Sequence, residues 1–239
     1  MNRNILITND DGINSKGIEK LAKAALKYGN VYVVAPDSER SAMSHRITLR
    51  ETIDVKKVDF PVEGIKGAFA ISGTPADCVR IGIRNIVEGK TDLILSGINN
   101  GCNCGSDTQY SATIGAALEG ASSGIHSIAV SETFNSTGEI ADAYLEKLLD
   151  EYIEKKLQFN QIWNINFPAG SLAELKGILT NRSVSPNSFY DDHFEEEVLP
   201  DGTRRLKTVG KYREDAPEGT DFRAIVDGYI SIGIVNNLC

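Results

Sequence analysis

The chain has 239 residues, 41% of them hydrophobic, and its 25 Lys and Arg against 33 Asp and Glu leave a formal net charge of −8. This length and composition suit a globular protein with a sizeable core and exclude a disordered or fibrous chain. The negative charge, with no cluster of Lys or Arg longer than two residues, argues against binding to duplex nucleic acid or to an anionic membrane.

Short β-branched runs alternate with helical patterns over the first 130 residues, which is typical of βαβ units and a parallel sheet. Near-continuous apolar runs indicate strands that are covered on both faces. Strands are predicted at residues 4–8, 31–35, 92–96, 127–130 and 163–167. Helices are predicted at 18–28, after the cap Thr74 with Pro75 in the first turn, around 114–121, and at 140–157.

The pattern changes after Pro168. Residues 180–211 combine an acidic run with a turn signal around Pro200, Asp201 and Gly202, so we predict a projecting β-hairpin there. Residues 225–235 alternate as a strand that returns to the sheet. The predicted fold class is α/β, a Rossmann-like three-layer core with a mainly parallel sheet plus a projecting C-terminal β-hairpin. We expect one domain over 1–239, with the core in 1–170.

The sequence also bears on location. No apolar run exceeds five residues, whereas a membrane helix needs about 20, and the first ten residues contain no hydrophobic stretch followed by a cleavage site. We therefore expect a soluble, cytoplasmic protein without a membrane partner. In such a protein the four cysteines, Cys78, Cys102, Cys104 and Cys239, are expected to be reduced thiols.

Polar loops follow three of the predicted strands, at residues 8–12, 36–41 and 96–101, and the first and third of these loops contain glycine. Ligands bind at the carboxyl ends of strands in open parallel sheets, so these loops should meet. Their carboxylate, hydroxyl and amide oxygens suit a hard divalent ion such as Mg²⁺ or Mn²⁺ better than zinc. Taken alone, Asp10-Asp11-Gly12 is more simply explained as a turn, but its position directly after the first strand favours a site.

A second feature follows the third loop. Ser111 and Thr113 open the helix near residue 114, and backbone N–H groups and hydroxyls at a helix start form an anion site. Helix capping by the same side chains is the simpler explanation and is compatible with anion binding. A phosphate there would lie beside the cation, which suggests phosphoryl transfer to water.

Taken in order, the motifs NDDG, APDSERS, SGTPADC, SGINNG and YSAT resemble those of the survival protein SurE family, over nearly the whole chain. The resemblance implies a metal-dependent 5′-nucleotidase with phosphomonoesterase activity. Matched position by position, Asp10, Asp11, Ser41 and Asn99 correspond to metal ligands. Asn103, Ser111 and Thr113 correspond to residues around the phosphate.

The implied reaction is hydrolysis of nucleoside monophosphates to nucleoside and phosphate by a water that one divalent ion, Mg or Mn, activates. Asp10 and Asp11 are the predicted catalytic residues, as ligands, with base character for Asp10. Attack by Asp10 to give an aspartyl phosphate is disfavoured, because such enzymes normally separate their two acids by one residue. The alternative function is a nucleotide-binding regulatory module without turnover. The family also implies a homodimer or homotetramer formed through the hairpin.

The chain departs from the family pattern in places. Cys102 stands where proline is usual, Cys104 where an aliphatic residue is usual, and Ala112 where glycine is usual. Among other candidates, His45 is expected to be an exposed loop histidine rather than a phosphate donor. The spacing of Cys102 and Cys104 does not match a zinc motif.

Overall fold

A computed structural model describes residues 3–237. These described residues form one nine-stranded sheet and one separate two-stranded sheet. The strands are β1 Arg3–Thr8, β2 Gly29–Pro36, β3 Val55–Val58, β4 Gly67–Ile71, β5 Leu93–Asn100, β6 His126–Glu132, β7 Gln161–Phe167, β8 Ile178–Arg182, β9 Tyr190–Val198, β10 Arg204–Tyr212 and β11 Ile230–Asn236.

The large sheet has the order β3-β4-β2-β1-β5-β6-β7-β11-β8. Neighbouring strands are parallel except for the β3–β4 and β7–β11 pairs. The order reverses direction at β1, with β2 on one side and β5 on the other. Such a reversal opens a crevice at the carboxyl ends of the strands, where the loops after β1 and β5 lie.

In the part of the chain that the structure describes, five α-helices accompany the sheet: α1 Lys16–Ala25, α2 Pro75–Ile81, α3 Ala112–Ser122, α4 Glu139–Tyr152 and α5 Asp221–Val226. Helix α2 begins as the sequence predicts, with Thr74 accepting from the Asp77 N–H and Asp77 accepting from the Thr74 N–H. This capping box satisfies two backbone donors at the helix start. Helix α3 is capped in turn by Ser111, whose hydroxyl accepts from the Ile114 N–H.

Alternation along the central strands sends side chains to two apolar layers. Ile5 and Ile7 of β1 pack into the core that α1 and α4 cover, while Leu6 packs with α2 on the other face. Helix α3 covers the second face further along, over β6, β7 and β11. The predicted three-layer α/β fold is therefore confirmed.

The hairpin is also confirmed. Strands β9 and β10 pair antiparallel over nine residue pairs, and Gly202 takes a φ of +82° in the turn between them. Nearly every hairpin residue is exposed. The hairpin begins at Tyr190, later than the predicted start at 180, because residues 178–182 instead form β8 beside β11.

The boundaries of helix α4 and of the returning strand also differ from the prediction. Helix α4 ends at Tyr152 rather than near 157. Just beyond that end, the indole N–H of Trp163 donates a hydrogen bond to the Lys155 carbonyl at 2.8 Å. The returning strand begins at Ile230 rather than at 225, because residues up to Val226 belong to α5, which Thr220 caps. The division into a single domain stays a prediction.

Two further expectations concern the cysteines and the membrane. Cys78, Cys102 and Cys104 are free thiols, and Cys239 lies outside the described residues. Within residues 3–237, none of the helices combines the length and the apolar character needed to cross a bilayer.

Candidate active site

The loops after β1, β2 and β5 meet with the start of α3 around a pocket of about 370 Å³. Six of the seven predicted site residues line it, and Thr113 lies directly behind. The lining residues are Asp10, Asp11, Glu39, Ser41, Ala42, Asn99, Asn100, Asn103, Asp107, Tyr110, Ser111 and Phe134.

Close backbone approaches bring these loops together. A Cβ on Gly17 would lie 2.0 Å from the Ile98 carbonyl oxygen, so only glycine lets α1 approach the β5 loop. A Cβ on Gly115 would similarly lie 2.3 Å from the Ser44 carbonyl oxygen, where α3 meets the loop after β2. The Arg40 N–H also donates to the Asp10 carbonyl at 2.7 Å. These contacts fix the walls of the pocket through the backbone.

Asp10 is the most buried acid of the pocket, at 4% exposure. The Thr113 hydroxyl donates to its Oδ1 at 2.5 Å, and the Thr113 N–H donates to its Oδ2 at 3.2 Å. Burial, with a smaller contribution from the charge of Asp11, raises the pKa of Asp10 to about 6, although the Thr113 hydroxyl acts in the opposite direction. The ionised carboxylate is therefore costly here unless a cation compensates it.

Asp11 is held by strand β5 instead of helix α3. The Asn100 N–H, at the end of β5, donates to its Oδ2 at 3.1 Å. Burial raises the pKa of Asp11, the neighbouring charge of Glu39 raises it further, and the Asn100 N–H lowers it. Two adjacent carboxylates thus converge on the pocket from a loop, as they must, because neighbours on a strand would point to opposite faces.

The other two predicted ligands present oxygen atoms at the same pocket. The Asn99 amide nitrogen donates to the Gly101 carbonyl at 2.7 Å, which leaves its side-chain oxygen as the atom for a cation. The Ser41 hydroxyl donates to Glu39 Oε1 at 2.7 Å, and its oxygen keeps acceptor capacity.

The charge of the lining decides what the pocket suits. Four carboxylates, those of Asp10, Asp11, Glu39 and Asp107, line it, and no Lys, Arg or His side chain does. Such a pocket repels a phosphate unless a cation lies between them, and its oxygen-only donors fit a hard divalent ion. Within residues 3–237, the His, Cys, Asp and Glu side chains do not form any group of three or more that could hold a metal ion. A cation in this pocket would therefore depend on the mixed set of carboxylate, hydroxyl and amide oxygens.

The residues predicted around the phosphate divide into two groups. Asn103 and Ser111 line the pocket, with the Asn103 amide donating to Ser131 Oγ at 2.8 Å and Ser111 serving as the α3 cap. Thr113 is completely buried and both its donors are directed to Asp10. Thr113 is therefore placed to support Asp10, while Asn103 and Ser111 line the pocket, and their role around a phosphate stays a prediction.

The weaker candidates lie outside this pocket. His45 Nε2 is 2.8 Å from Glu119 Oε2 on α3, so the histidine ties its loop to the helix. Cys104 is fully buried beside Phe222, and Cys102 Sγ lies 3.2 Å from the Thr133 hydroxyl. Ala112, which replaces the usual glycine, is buried and is not among the residues that line the pocket.

Sequence reasoning missed six lining residues: Glu39, Ala42, Asn100, Asp107, Tyr110 and Phe134. Glu39 and Asn100 belong to the loops already singled out, and Tyr110 precedes Ser111 directly, so adjacency was a usable signal for these three. Nothing local marks Asp107 or Phe134, which reach the pocket only through the folding of their loops.

Comparison with known proteins agrees with this geometry. Residues 5–188 match the family model described as Survival protein SurE. This chain belongs to the SurE family. The 5′-nucleotidase SurE of Clostridium botulinum strain Loch Maree is 41% identical over 233 residues, covering 96% of this chain and 91% of that protein.

Two further relatives extend the likeness. The 5′-nucleotidase SurE of Thermosipho melanesiensis is 41% identical over 232 residues, covering 96% of this chain and 89% of that protein. A crystal structure of the SurE protein from Aquifex aeolicus superposes with a TM-score of 0.83 at 33% identity, covering 99% of this chain and 94% of that one. The family that the motifs resemble is thereby confirmed.

Proposed function

We propose that this SurE-family chain is a metal-dependent 5′-nucleotidase that hydrolyses nucleoside monophosphates to nucleoside and phosphate. The supporting observation is the pocket at the carboxyl ends of β1 and β5, which four carboxylates line without any Lys, Arg or His. The relatives named 5′-nucleotidase SurE, similar over nearly the whole chain, support the same reaction.

Asp10, Asp11, Ser41 and Asn99 would hold one divalent ion, Mg²⁺ or Mn²⁺. When bound, such an ion polarises phosphoryl oxygens and lowers the pKa of water at the site. The chain's own contribution is to hold both carboxylates ionised and oriented, through the Thr113 hydroxyl on Asp10 and the Asn100 N–H on Asp11.

Asn103 and the start of α3 would bind the phosphate. The Asn103 amide uses one N–H on Ser131, and its second N–H is directed to the phosphate in our proposal. The start of an 11-residue helix adds a dipole that is favourable for an anion, although its Thr113 and Ile114 N–H groups are already directed to Asp10 and Ser111. The Asn103 N–H and this dipole stabilise negative charge that develops on the phosphoryl oxygens.

The hairpin supports a further part of the proposal, a homodimer or homotetramer. Its exposed apolar side chains include Phe194, Val198 and Leu206, each more than half exposed. A two-stranded hairpin is marginally stable in water by itself, so an exposed one of this length is expected to pack against another copy.

The test is phosphate release from p-nitrophenyl phosphate and from a panel of nucleoside monophosphates. We expect activity to disappear in EDTA and to return when Mn²⁺ or Mg²⁺ is added. Full turnover in EDTA would refute the cation, and an absence of turnover with every cation would instead favour a binding module. The Asp92→Asn protein, altered at the opposite end of β5, should behave as wild type.

A further inference from the structure

Two exposed aromatic rings lie at the same pocket. Tyr110 is 64% exposed and Phe134 is 52% exposed, and both are lining residues. Outside the hairpin, only one other aromatic side chain in residues 3–237 is exposed, Phe159, and it lies with Leu93 and His126 at the amino ends of the strands. Two of the three exposed aromatic rings outside the hairpin in residues 3–237 therefore lie at the pocket where a substrate would enter.

Phe134 is held in place although its ring is not buried. The preceding residue, Thr133, donates its N–H to the Phe167 carbonyl at 3.0 Å. The following residue, Asn135, donates its N–H to Asn100 Oδ1 at 3.0 Å. Asn100 in turn donates its own N–H to Asp11. Hydrogen bonds on both sides therefore anchor the backbone around Phe134, on one side to Phe167 and on the other to Asn100, the residue that orients Asp11.

Tyr110 is anchored in the same way on the other side. Its N–H donates to the Asp107 carbonyl at 2.9 Å, and its carbonyl accepts from the Ser44 N–H at 2.9 Å. The next residue is Ser111, the cap of α3. The Tyr110 backbone is thus fixed one residue from the proposed phosphate site, and its side chain is largely exposed.

We propose that Phe134 and Tyr110 bind the base of the substrate by stacking; this inference rests on the proposed nucleotidase function. Asp10 and Asp11 with a bound cation would suit the phosphate. The two rings offer flat apolar faces that suit an aromatic heterocycle. Every nucleobase has a π-face, so these rings select substrates with a base over bare sugar phosphates without selecting one base strongly.

The experiment compares adenosine 5′-monophosphate with ribose 5-phosphate, which lacks the base, at one fixed cation concentration. Phe134→Ala should lower kcat/KM for the nucleotide about 10-fold, mainly through KM, because one stacking contact is lost. Ribose 5-phosphate should change less than about 2-fold, since it makes no such contact. Phe134→Trp should restore the nucleotide value, and Phe159→Ala is the matched control that should change neither substrate.

Tyr110 gives an independent arm. Tyr110→Phe should retain the nucleotide preference because the ring remains, whereas Tyr110→Ala should reduce it. Equal losses on both substrates, or no loss on the nucleotide for Phe134→Ala, would overturn the stacking role.

Calorimetric titration with adenosine separates this inference from the proposed function. We expect binding to wild type and about 10-fold weaker binding to Phe134→Ala. If wild type hydrolyses neither phosphate yet adenosine binds and depends on Phe134, the nucleotidase proposal fails and the stacking survives. If adenosine binding is absent or is indifferent to Phe134, the stacking fails.

Discussion

The pocket rim and the β9–β10 hairpin are both polar, loop-connected regions of the chain, but they are held in opposite ways. At the rim, Asp10 and Asp11 are fixed by donors from α3 and β5, and glycine contacts join the surrounding backbone. Both faces of the hairpin are exposed, and its ion pairs, such as Arg204 with Glu196, run within the hairpin itself. The rim is preorganised for chemistry, whereas the hairpin is available for assembly.

The two regions meet at Asp107. Its Oδ2 accepts the N–H groups of Phe189, at 2.8 Å, and Tyr190, at 3.0 Å, at the base of the hairpin, while the residue also lines the pocket. We therefore expect substitutions at the rim to affect activity with little effect on assembly. Substitutions on the hairpin should affect assembly with little effect on activity.

Asp10→Asn should have the largest effect. We expect kcat/KM to fall by about 10³-fold or more, because the charge that holds the cation is lost. Burial raises the pKa of Asp10 above its ordinary value, so above that pKa the ionised group disfavours folding of the metal-free protein. The free energy of unfolding at pH 7 without metal should therefore stay equal or rise.

Kinetics with added Mn²⁺ and denaturant unfolding in EDTA check both parts. Asp92→Asn serves as the control, since its carboxylate accepts from the Asn4 N–H at the far end of the sheet. Retained turnover of Asp10→Asn at saturating Mn²⁺ would remove Asp10 from the mechanism.

Thr113→Val should have the next largest effect. Valine keeps the volume but removes the hydroxyl that donates to Asp10 Oδ1. Losing a partner that orients a ligating carboxylate weakens cation affinity by about 10- to 100-fold. The Mn²⁺ concentration for half-maximal activity measures this change. Thr108→Val, also buried but bonded to the Gly105 carbonyl, should leave that concentration unchanged, and equal values for both variants would contradict the role of Thr113.

Substitution of Asp221 tests how residues outside the pocket support the loops that line it. Its carboxylate accepts from the N–H groups of Gly105, Ser185 and Phe222, and burial nevertheless raises its pKa. Because the folded pKa is above the unfolded one, stability is greatest below the unfolded pKa and declines as pH rises through the folded pKa. Asp221→Asn should remove that part of the decline.

Urea unfolding from pH 4 to pH 7 measures the slope. Asp215→Asn is the opposite control, because Arg213 lowers the pKa of Asp215, so its stabilising contribution is lost as pH falls. An unchanged slope in Asp221→Asn would show that the buried carboxylate does not titrate as described.

Phe194→Glu should have the smallest effect on the chain itself and a visible effect on assembly. Phe194 is 63% exposed on β9, so a charge there costs the monomer little and opposes packing against another copy. Light scattering after size exclusion should show a lower mass than for wild type, and the melting temperature of the variant should stay the same. Phe159 is similarly exposed but lies outside the hairpin, so the Phe159→Glu oligomer should not dissociate. A monomeric wild type would contradict the proposed oligomer.

The sequence predicted the central strands well because their apolar runs are long and covered on both faces. It missed β3 and β4, since Val55–Val58 is a short exposed edge and Gly67–Ile71 contains glycine and alanine in place of β-branched residues. It extended the last strand into α5, because a helix of six residues shows too little periodicity to be distinguished from a strand.

The site shows the same division. The positions of Asp10, Asp11 and Asn99 follow from local order, because each lies at the end of a buried strand. Their partners do not: Thr113 and Asn100 reach the two carboxylates only through packing of α3 and β5 beside β1. The placement of Phe134 depends on a loop held to Asn100, which no local pattern encodes.

We propose that Asp10, Asp11, Ser41 and Asn99 gather around one cation. An anomalous-scattering map of crystals soaked in Mn²⁺ tests this cation site. We predict one strong peak within coordination distance of oxygen atoms from these four side chains. A peak elsewhere, or a peak that neither aspartate contacts, would contradict the proposed site.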